Sequence, residues 1–418
     1  MTDGLAALRE RLAARVIAAN GIGSGRVAAA LHDVPRHLFL PGVPPEAAYR
    51  DDAIVTKRDA SGLPVSSSSQ PAIMAIMLDQ LELAPGQRVL EIGAGTGYNA
   101  ALMRHIVGPS GLVVSVDIDA DLAGRARDHL ACAGYPDVLV LAADGADGCP
   151  AHAPYDRVIA TVGVGDLAPA WLDQAAERAR IVVPLDLGGP QLSVAFGRTG
   201  RHWTSRSVAP CGFMRMRGAL AGPERAVPLE PGVFLLLPGP RDLDPAAVAA
   251  ALAGPGTEQP TGVAAGPAQL MWSLGLWLAA REPRRCALSG EQRRAPALAG
   301  APLRVQGVRT TFGIVDDDGI AVLSAAGAQA PECRPGPQWP DGPAGAAVTL
   351  GAAGFGRGAA RLAADLAAQV RAWDEAGRPG PAGLHVDAYP RSSPDRPYPL
   401  RDELVIERPA TRFVVYRA

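Results

Sequence analysis

Residues Val89-Leu90-Glu91-Ile92-Gly93-Ala94-Gly95-Thr96-Gly97-Tyr98 join an apolar run to three alternating glycines. Such a run reads as a buried strand, and glycines at its end remove Cβ atoms where the backbone must turn tightly and approach a ligand. Asn99 to Val107 read as a helix opening against that loop. Strand, loop and helix together describe a unit that holds a nucleotide.

The glycine spacing narrows the choice of nucleotide. A dinucleotide fingerprint needs Gly-x-Gly-x-x-Gly, whereas here Gly93, Gly95 and Gly97 alternate and Tyr98 follows. Glu91 puts a carboxylate beside the loop, which disfavours phosphates and favours the ammonium and sulfonium of S-adenosylmethionine. Gly111 to Ile118 form a second buried strand carrying Asp117, about 20 residues past the loop, the separation of an acid that binds ribose hydroxyls. The candidate cofactor residues are therefore Glu91, Gly93, Ala94, Gly95, Thr96, Gly97, Asp117 and Ile118. A glycine-rich turn can also merely close a strand-helix corner; Asp117 is what favours the cofactor.

The 418 residues are long for one domain, and 48% hydrophobic content is ample for a core. A net charge of −2 gives no electrostatic reason to expect nucleic acid or an acidic membrane as partner. No stretch has the pattern of a signal peptide or a membrane span, so the expectation is a soluble, cytoplasmic protein. The five cysteines, Cys132, Cys149, Cys211, Cys286 and Cys333, lack metal-site or disulfide spacing, so they read as free thiols and no metal is expected.

Leu5 to Ala19 and Gly25 to His32 have helical spacing, and a proline-punctuated loop region follows to Gln70. Ile73, Met74, Met77, Leu78 and Leu81 mark a helix from Pro71 to Leu83. Strands then alternate with helices: 88–92, 112–117, 138–142, 157–161, 181–184 and 192–198. The fold class is α/β, with a mostly parallel sheet covered on both faces. Residues 1–217 make that domain, with 1–70 as helical cap and substrate loop, and a Gly/Pro-rich linker runs over 218–231. A second, smaller α+β domain spans 232–418. Its elements are a strand at 232–237, an apolar run at 270–280, a hairpin around Asp316-Asp317-Asp318-Gly319, a helix over 356–376 showing Leu362, Leu366, Val370 and Trp373 on one face, and strands at 384–388 and 411–416.

Several further motifs carry a family resemblance. Val34-Pro35-Arg36-His37-Leu38-Phe39, Ala48-Tyr49-Arg50-Asp51, Ser69-Gln70-Pro71, Glu91 to Tyr98, Asp144-Gly145 and Ala153-Pro154-Tyr155-Asp156-Arg157 occur in order. Together they make the first 217 or so residues resemble the protein-L-isoaspartyl O-methyltransferases. The resemblance implies a Rossmann-like class I methyltransferase sheet, S-adenosylmethionine as cofactor, and Asp144 as a strand-end acid accepting from the adenine amino group. The second domain looks more like the longer relatives that methylate an aspartate in ribosomally made peptides such as lanthipeptides. Departures fall on the acceptor side: Ser66-Ser67-Ser68-Ser69 replaces a Thr-Ile-Ser ending, and Phe213-Met214-Arg215-Met216 replaces Phe-Val-Pro-Leu.

Methyl transfer to a carboxylate asks little acid-base work, because the group is already ionised near neutral pH, its reference pKa being about 3.9. Position matters more, and small hydroxyl and amide donors suit an acceptor that loses its charge. That logic selects Ser69 with Ser68 and Gln70, Ser67 lying alongside, although a serine run can also be a simple linker. Asp144, beside Gly145, reads either as that adenine acceptor or as a helix cap. Thr161 ends the fourth strand, where open α/β sheets bind ligands. His37 and His105 receive no catalytic role, and the Arg281, Arg284, Arg285, Arg293 and Arg294 cluster reads as a solvated face rather than a dock for an acidic peptide. The leading expectation is esterification of an aspartyl or isoaspartyl carboxylate in a peptide, leading to aspartimide during ribosomal-peptide maturation. General isoaspartate repair, and a non-catalytic cofactor- or peptide-binding module, are the alternatives.

Overall fold

The computed structural model describes residues 2–60, 64–290, 296–305, 308–325, 347–393 and 404–417. Arg293, Arg294 and Cys333 lie outside the described residues. The chain divides into two compact units, one of residues 1–186, 191–222 and 383–418, the other of 187–190 and 223–382.

The first unit opens with α1 (Thr2–Asn20) and α2 (Gly25–Asp33), the latter capped by the Ser24 hydroxyl accepting from the Val27 amide. Where a loop was expected up to Gln70, the structure has a one-turn helix at Arg36–Phe39, a short α3 (Pro45–Ala48) and an antiparallel hairpin, β1 (Ile54–Arg58) with β2 (Pro64–Ser68). Ser66 to Ser68 therefore belong to a strand. Serine hides the alternation that marks strands, but pairing of Val55 with Ser67 and a Thr56 to Ser66 hydroxyl bond hold them there.

After α4 (Pro71–Leu81) comes the alternation read from sequence: β3 (Arg88–Ile92), α5 (Tyr98–Val107), β4 (Leu112–Asp117), α6 (Ala120–Cys132), β5 (Leu139–Ala142), β6 (Tyr155–Ala160), α7 (Pro169–Gln174) and β7 (Ala175–Leu185). These five strands are parallel in the order β5-β4-β3-β6-β7, and antiparallel β8 (Leu192–Thr199) and β9 (His202–Pro210) extend them. Strand order reverses between β3 and β6, the topological switch point at which such sheets take ligands. Val89, Leu102, Met103, Val113 and Ile159 are buried in the core beneath it.

The second unit is antiparallel throughout. In chain order it holds β10 (Arg225–Glu230), β11 (Val233–Leu237), α8 (Pro245–Ala253), β12 (Thr257–Ala265), α9 (Pro267–Gln269), α10 (Gly275–Arg281), β13 (Arg285–Gly290), β14 (Leu303–Val305), β15 (Val308–Asp316), β16 (Gly319–Ala325), β17 (Val348–Gly356) and α11 (Ala359–Glu375). The supposed linker thus contains a strand, β10, paired with β11. The hairpin read at Asp316 to Gly319 is present, with those two residues paired across the turn. Alternate residues of β16 enter different cores. Ala321 and Leu323 pack with Leu362, Leu366, Val370 and Trp373 of α11, while Ile320 and Val322 pack with Val248 and Leu252 of α8. A strand buried on both faces has to be apolar without interruption, as Ile320 to Leu323 is.

The chain then returns to the first unit. β18 (Leu384–Pro390), β19 (Leu404–Glu407) and β20 (Thr411–Arg417) complete a sheet of ten strands among the described residues. Asp387 and Ala388 pair with Thr204 and Trp203 of β9, and the Val386 amide donates to Ser205 Oγ at 2.9 Å. The expected domain over 232–418 is corrected accordingly: its last strands cover what would otherwise be an open edge at β9. Among the described residues no helix is long and apolar enough to cross a membrane.

Candidate functional site

The glycine loop leaves β3 at the switch point with Gly93, Gly95 and Gly97 at φ +102°, +53° and +87°. Gly93 has no room for more than hydrogen, since a Cβ would stand 2.8 Å from Thr161 Oγ1 and 3.0 Å from Val162 Cγ1. Backbone bonds fix the loop from below: the Gly93 and Ala94 amides donate to Val116 O, and the Gly97 amide to Ala94 O. Thr161 Oγ1 donates to Gly93 O at 2.7 Å, and the carbonyl of buried Thr96 meets His129 Nδ1 at 3.0 Å.

Asp117 ends β4 beside the loop. Its Oδ2 accepts from the Gly95 amide at 2.9 Å and its Oδ1 from the Asp119 amide at 3.0 Å, each oxygen keeping a further lone pair. The next residue, Ile118, is 41% exposed, a large apolar side chain standing in the open beside Asp117. On the same side of the switch point as Asp117, Asp144 follows β5. Its Oδ1 caps the short helix at Gly145–Asp147 through the Ala146 amide, and its Oδ2 accepts from the Ala219 amide, both at 2.9 Å. The helix-cap reading of Asp144 is thus realised in its hydrogen bonds. Gly145 packs on Ile92, where a Cβ would come within 2.5 Å of Cγ2, and its carbonyl accepts from Trp171 Nε1.

Glu91 occupies a different place from the one expected. It is fully buried beneath the loop, Oε1 accepting from Asn99 Nδ2 at 2.8 Å and Oε2 from Ser115 Oγ at 2.5 Å. The register of β3 on β4 sets Glu91 directly against Ser115, which turns the carboxylate inward. Burial pushes its pKa up to about 7; the two hydrogen bonds oppose that rise and the nearby Asp117 charge adds to it. Glu91 therefore shapes the loop from behind, through Asn99 on α5, instead of offering a charge to a ligand.

The residues expected on the acceptor side lie at the end of β2 and in the turn into α4. Ser67 O lies 3.6 Å from where a Cβ on Gly95 would stand, so this strand overlies the glycine loop. Ser68 Oγ is buried and has no hydrogen-bond partner among the described residues; the same holds for Arg36 Nη1 and Asn99 Oδ1. Ser69 is half-buried and gives its carbonyl to Arg36 Nη2 at 3.0 Å, while Gln70 donates through Nε2 to Asp51 Oδ2 at 3.0 Å. Asp387 Oδ1 on β18 is likewise without a partner among the described residues, so it is the position of Ser68 on the strand over the glycine loop that makes its hydroxyl a candidate for ligand contact. The Phe213–Met216 segment crosses the same end of the sheet, its Met214 carbonyl and Met216 amide bonded to Gly163 and its Phe213 backbone to Gln191.

Arg36 and Asp51 lie inside sequence motifs that assign them no role, and Asn99, Ser115 and Gln191 sit in no pattern that marks them. His37 Nδ1 bonds the Tyr49 hydroxyl at 2.8 Å, and His105 bridges Asp33 and Tyr135. Of the arginine cluster, Arg284 is paired with Glu282 and Asp365, and Arg281 lies 3.9 Å over the Trp277 ring. Cys132, Cys149, Cys211 and Cys286 are free thiols.

Residues 8–219 match the family model described as protein-L-isoaspartate(D-aspartate) O-methyltransferase. A protein-L-isoaspartate O-methyltransferase of Methanopyrus kandleri is 39% identical over 178 residues, 42% of this chain and 76% of its own length. One from Thermotoga maritima is 38% identical over 164 residues, 39% of this chain; the match spans only about half, 51%, of that relative. A solved protein-L-isoaspartate O-methyltransferase aligns over 91% of this chain and 96% of its own at 22% identity, with a TM-score of 0.49. A putative one from Plasmodium falciparum, solved with S-adenosyl-L-homocysteine, covers 51% of this chain and 98% of its own at 16% identity and a TM-score of 0.44. The matched stretch takes in the glycine loop, the serine turn and both sides of the switch point, so this chain belongs to the protein-L-isoaspartate(D-aspartate) O-methyltransferase family, carboxyl methyltransferases that use S-adenosylmethionine.

Proposed function

We propose that this chain esterifies the free carboxylate of an isoaspartyl residue in a peptide or protein. The observation that carries the reading is the turn at Ser67 to Gln70, which lies over the glycine loop and contains the buried Ser68 Oγ, unpaired among the described residues. The residues present fit an adenosyl cofactor: a backbone cradle at Gly93–Gly97, an acid at Asp117, an exposed apolar surface at Ile118, Asp144 and Gly145 after β5, and Thr161 across the switch point. Bound there, S-adenosylmethionine supplies a methyl group made electrophilic by its sulfonium. The chain's own residues bind and orient: Thr161 keeps Gly93 in place, Asp117 keeps Gly95, and Ser68 and Ser69 offer hydroxyl donors to an acceptor carboxylate. Neutral donors hold that carboxylate without opposing the loss of its charge. A reducing, cytoplasmic setting suits the three buried thiols.

A second reading, methylation of an ordinary aspartate in a ribosomally made peptide, is favoured by one observation. The unit at 223–382 has its own cores and lies almost wholly outside the family match. In this reading it holds the peptide, and the methyl ester closes to aspartimide as the next backbone nitrogen attacks and methanol leaves. The full-length chain is needed to separate the readings, because β18–β20 belong to the first sheet. Incubation with labelled cofactor and an isoaspartyl peptide or its aspartyl twin separates the readings. Label on the isoaspartyl peptide alone is the expected outcome, label on the twin supports the second reading, and label on neither sinks both.

A further inference from the structure

Three short motifs that lie apart in sequence meet at one place. Arg36, on the one-turn helix after α2, is fully buried, and its guanidinium spends two of its N–H groups on backbone: Nε donates to Ala48 O and Nη2 to Ser69 O, each at 3.0 Å. The same guanidinium lies 5.1 Å over the ring of Tyr98, the residue that follows the last glycine of the cofactor loop. Asp51 takes the other side of the turn. Its Oδ2 accepts from Gln70 Nε2 at 3.0 Å and its Oδ1 from the Ala72 amide at 2.9 Å. The first helical amides of α4 need acceptors, and Gln70 at the cap position supplies none from its own side chain, so Asp51 caps this helix from 21 residues away.

A buried guanidinium is expensive unless hydrogen-bonded and offset by charge. Here burial lowers the Arg36 pKa, the Asp51 charge works against that, and the bonds made are to backbone. A charge bonded to carbonyls fixes the course of the chain. We propose that Arg36 and Asp51 are positioning residues that clamp the Ser69–Gln70–Pro71 turn from its two sides, setting Ser68 and Ser69 against the cofactor loop. This rests on the carboxyl-methyltransferase reading for its activity readout, but the clamp itself has a readout that does not.

The test uses the full-length chain with Asp51→Ala, Asp51→Asn, Arg36→Lys and Arg36→Met. Amide hydrogen exchange is followed over residues 66–72, alongside S-adenosylhomocysteine affinity, the melting temperature and kcat on an isoaspartyl peptide at saturating cofactor. Asp51→Ala is expected to speed exchange at Ala72 about tenfold, since the amide loses its acceptor. It should lower kcat about tenfold or more through misplacement of the turn, with cofactor affinity within about twofold. Asp51→Asn should rescue both, because the new side-chain oxygen can accept from Ala72 while Gln70 turns its amide to accept from the new nitrogen. Arg36→Lys, which cannot span two carbonyls, should resemble Arg36→Met in kcat. Unchanged exchange in Asp51→Ala, or a fall in kcat matched by an equal fall in cofactor affinity, overturns the clamp. If Arg36→Met fails to fold, the Asp51 pair decides alone. If the wild-type chain methylates no isoaspartyl peptide, the function proposed above fails while the exchange data still judge the clamp.

Discussion

The two loops that meet at the switch point differ in how their polar groups are served. In the glycine loop the amides of Gly93, Ala94, Gly95 and Gly97 are bonded within the protein, as are the Gly93 and Thr96 carbonyls. The Ser67–Gln70 turn, proposed to meet the acceptor, holds its backbone through Arg36 and Asp51 yet leaves Ser68 Oγ without a partner among the described residues. The first loop is a rigid cradle whose shape is finished before any ligand arrives. The second is a held frame with one valence open, which is what an enzyme needs when the cofactor is constant and the acceptor is the variable part.

The comparison breaks first at Gly93. Gly93→Ala puts a Cβ against Thr161 and Val162 at a φ that L-residues rarely adopt. Strain of about 2–4 kcal/mol is expected, weakening S-adenosylhomocysteine binding by about 30-fold or more in titration calorimetry. Gly95→Ala is also strained by its positive φ of +53°, but it meets only Ser67 O at 3.6 Å and should lose less. Equal losses at the two positions show that the cradle is not the rigid element.

Glu91 gives the next largest effect. Its carboxyl is held protonated up to about pH 7 in the folded chain, against an ordinary value of 4.5. Between those values the folded state binds a proton that the unfolded state has lost, so stability falls as pH rises through the window, by about 3 kcal/mol in all. Glu91→Gln should keep bonds to Asn99 and Ser115, flatten that slope in denaturant titrations from pH 4 to 8, and leave cofactor affinity nearly unchanged. Lost affinity with the slope intact returns Glu91 to the cofactor.

The same contrast explains what could be read from the chain. The glycine loop, α4, β3 to β6 and α11 are specified by neighbours in sequence, so periodicity and glycine spacing found them. Glu91 could be found but not oriented, because its direction is set by Ser115 on the adjacent strand, 24 residues on. The β1–β2 hairpin hides behind serines whose pairing is cross-strand, and β18 to β20 belong to a sheet whose partner strand, β9, ends more than 170 residues earlier. Arg36 and Asp51 could be quoted from motifs, while their work is visible only once Ser69 and Ala72 are placed beside them.

The smallest change should be the most selective. Ser68→Ala removes one buried oxygen that makes no hydrogen bond among the described residues, so folding stability should hold steady or rise by up to about 1 kcal/mol. If that oxygen serves the acceptor, kcat on the isoaspartyl peptide should fall about tenfold, equivalent to about 1.4 kcal/mol, with S-adenosylhomocysteine affinity unaffected. Ser69→Ala separates the two hydroxyls, since Ser69 is held through its backbone carbonyl, which alanine keeps. A fall at Ser69 with none at Ser68 moves the acceptor contact one residue along the turn. Unchanged rates in both single variants and in the double variant mean that the open valence at Ser68 is not where the acceptor binds, and the difference drawn between the two loops would then be one of packing alone.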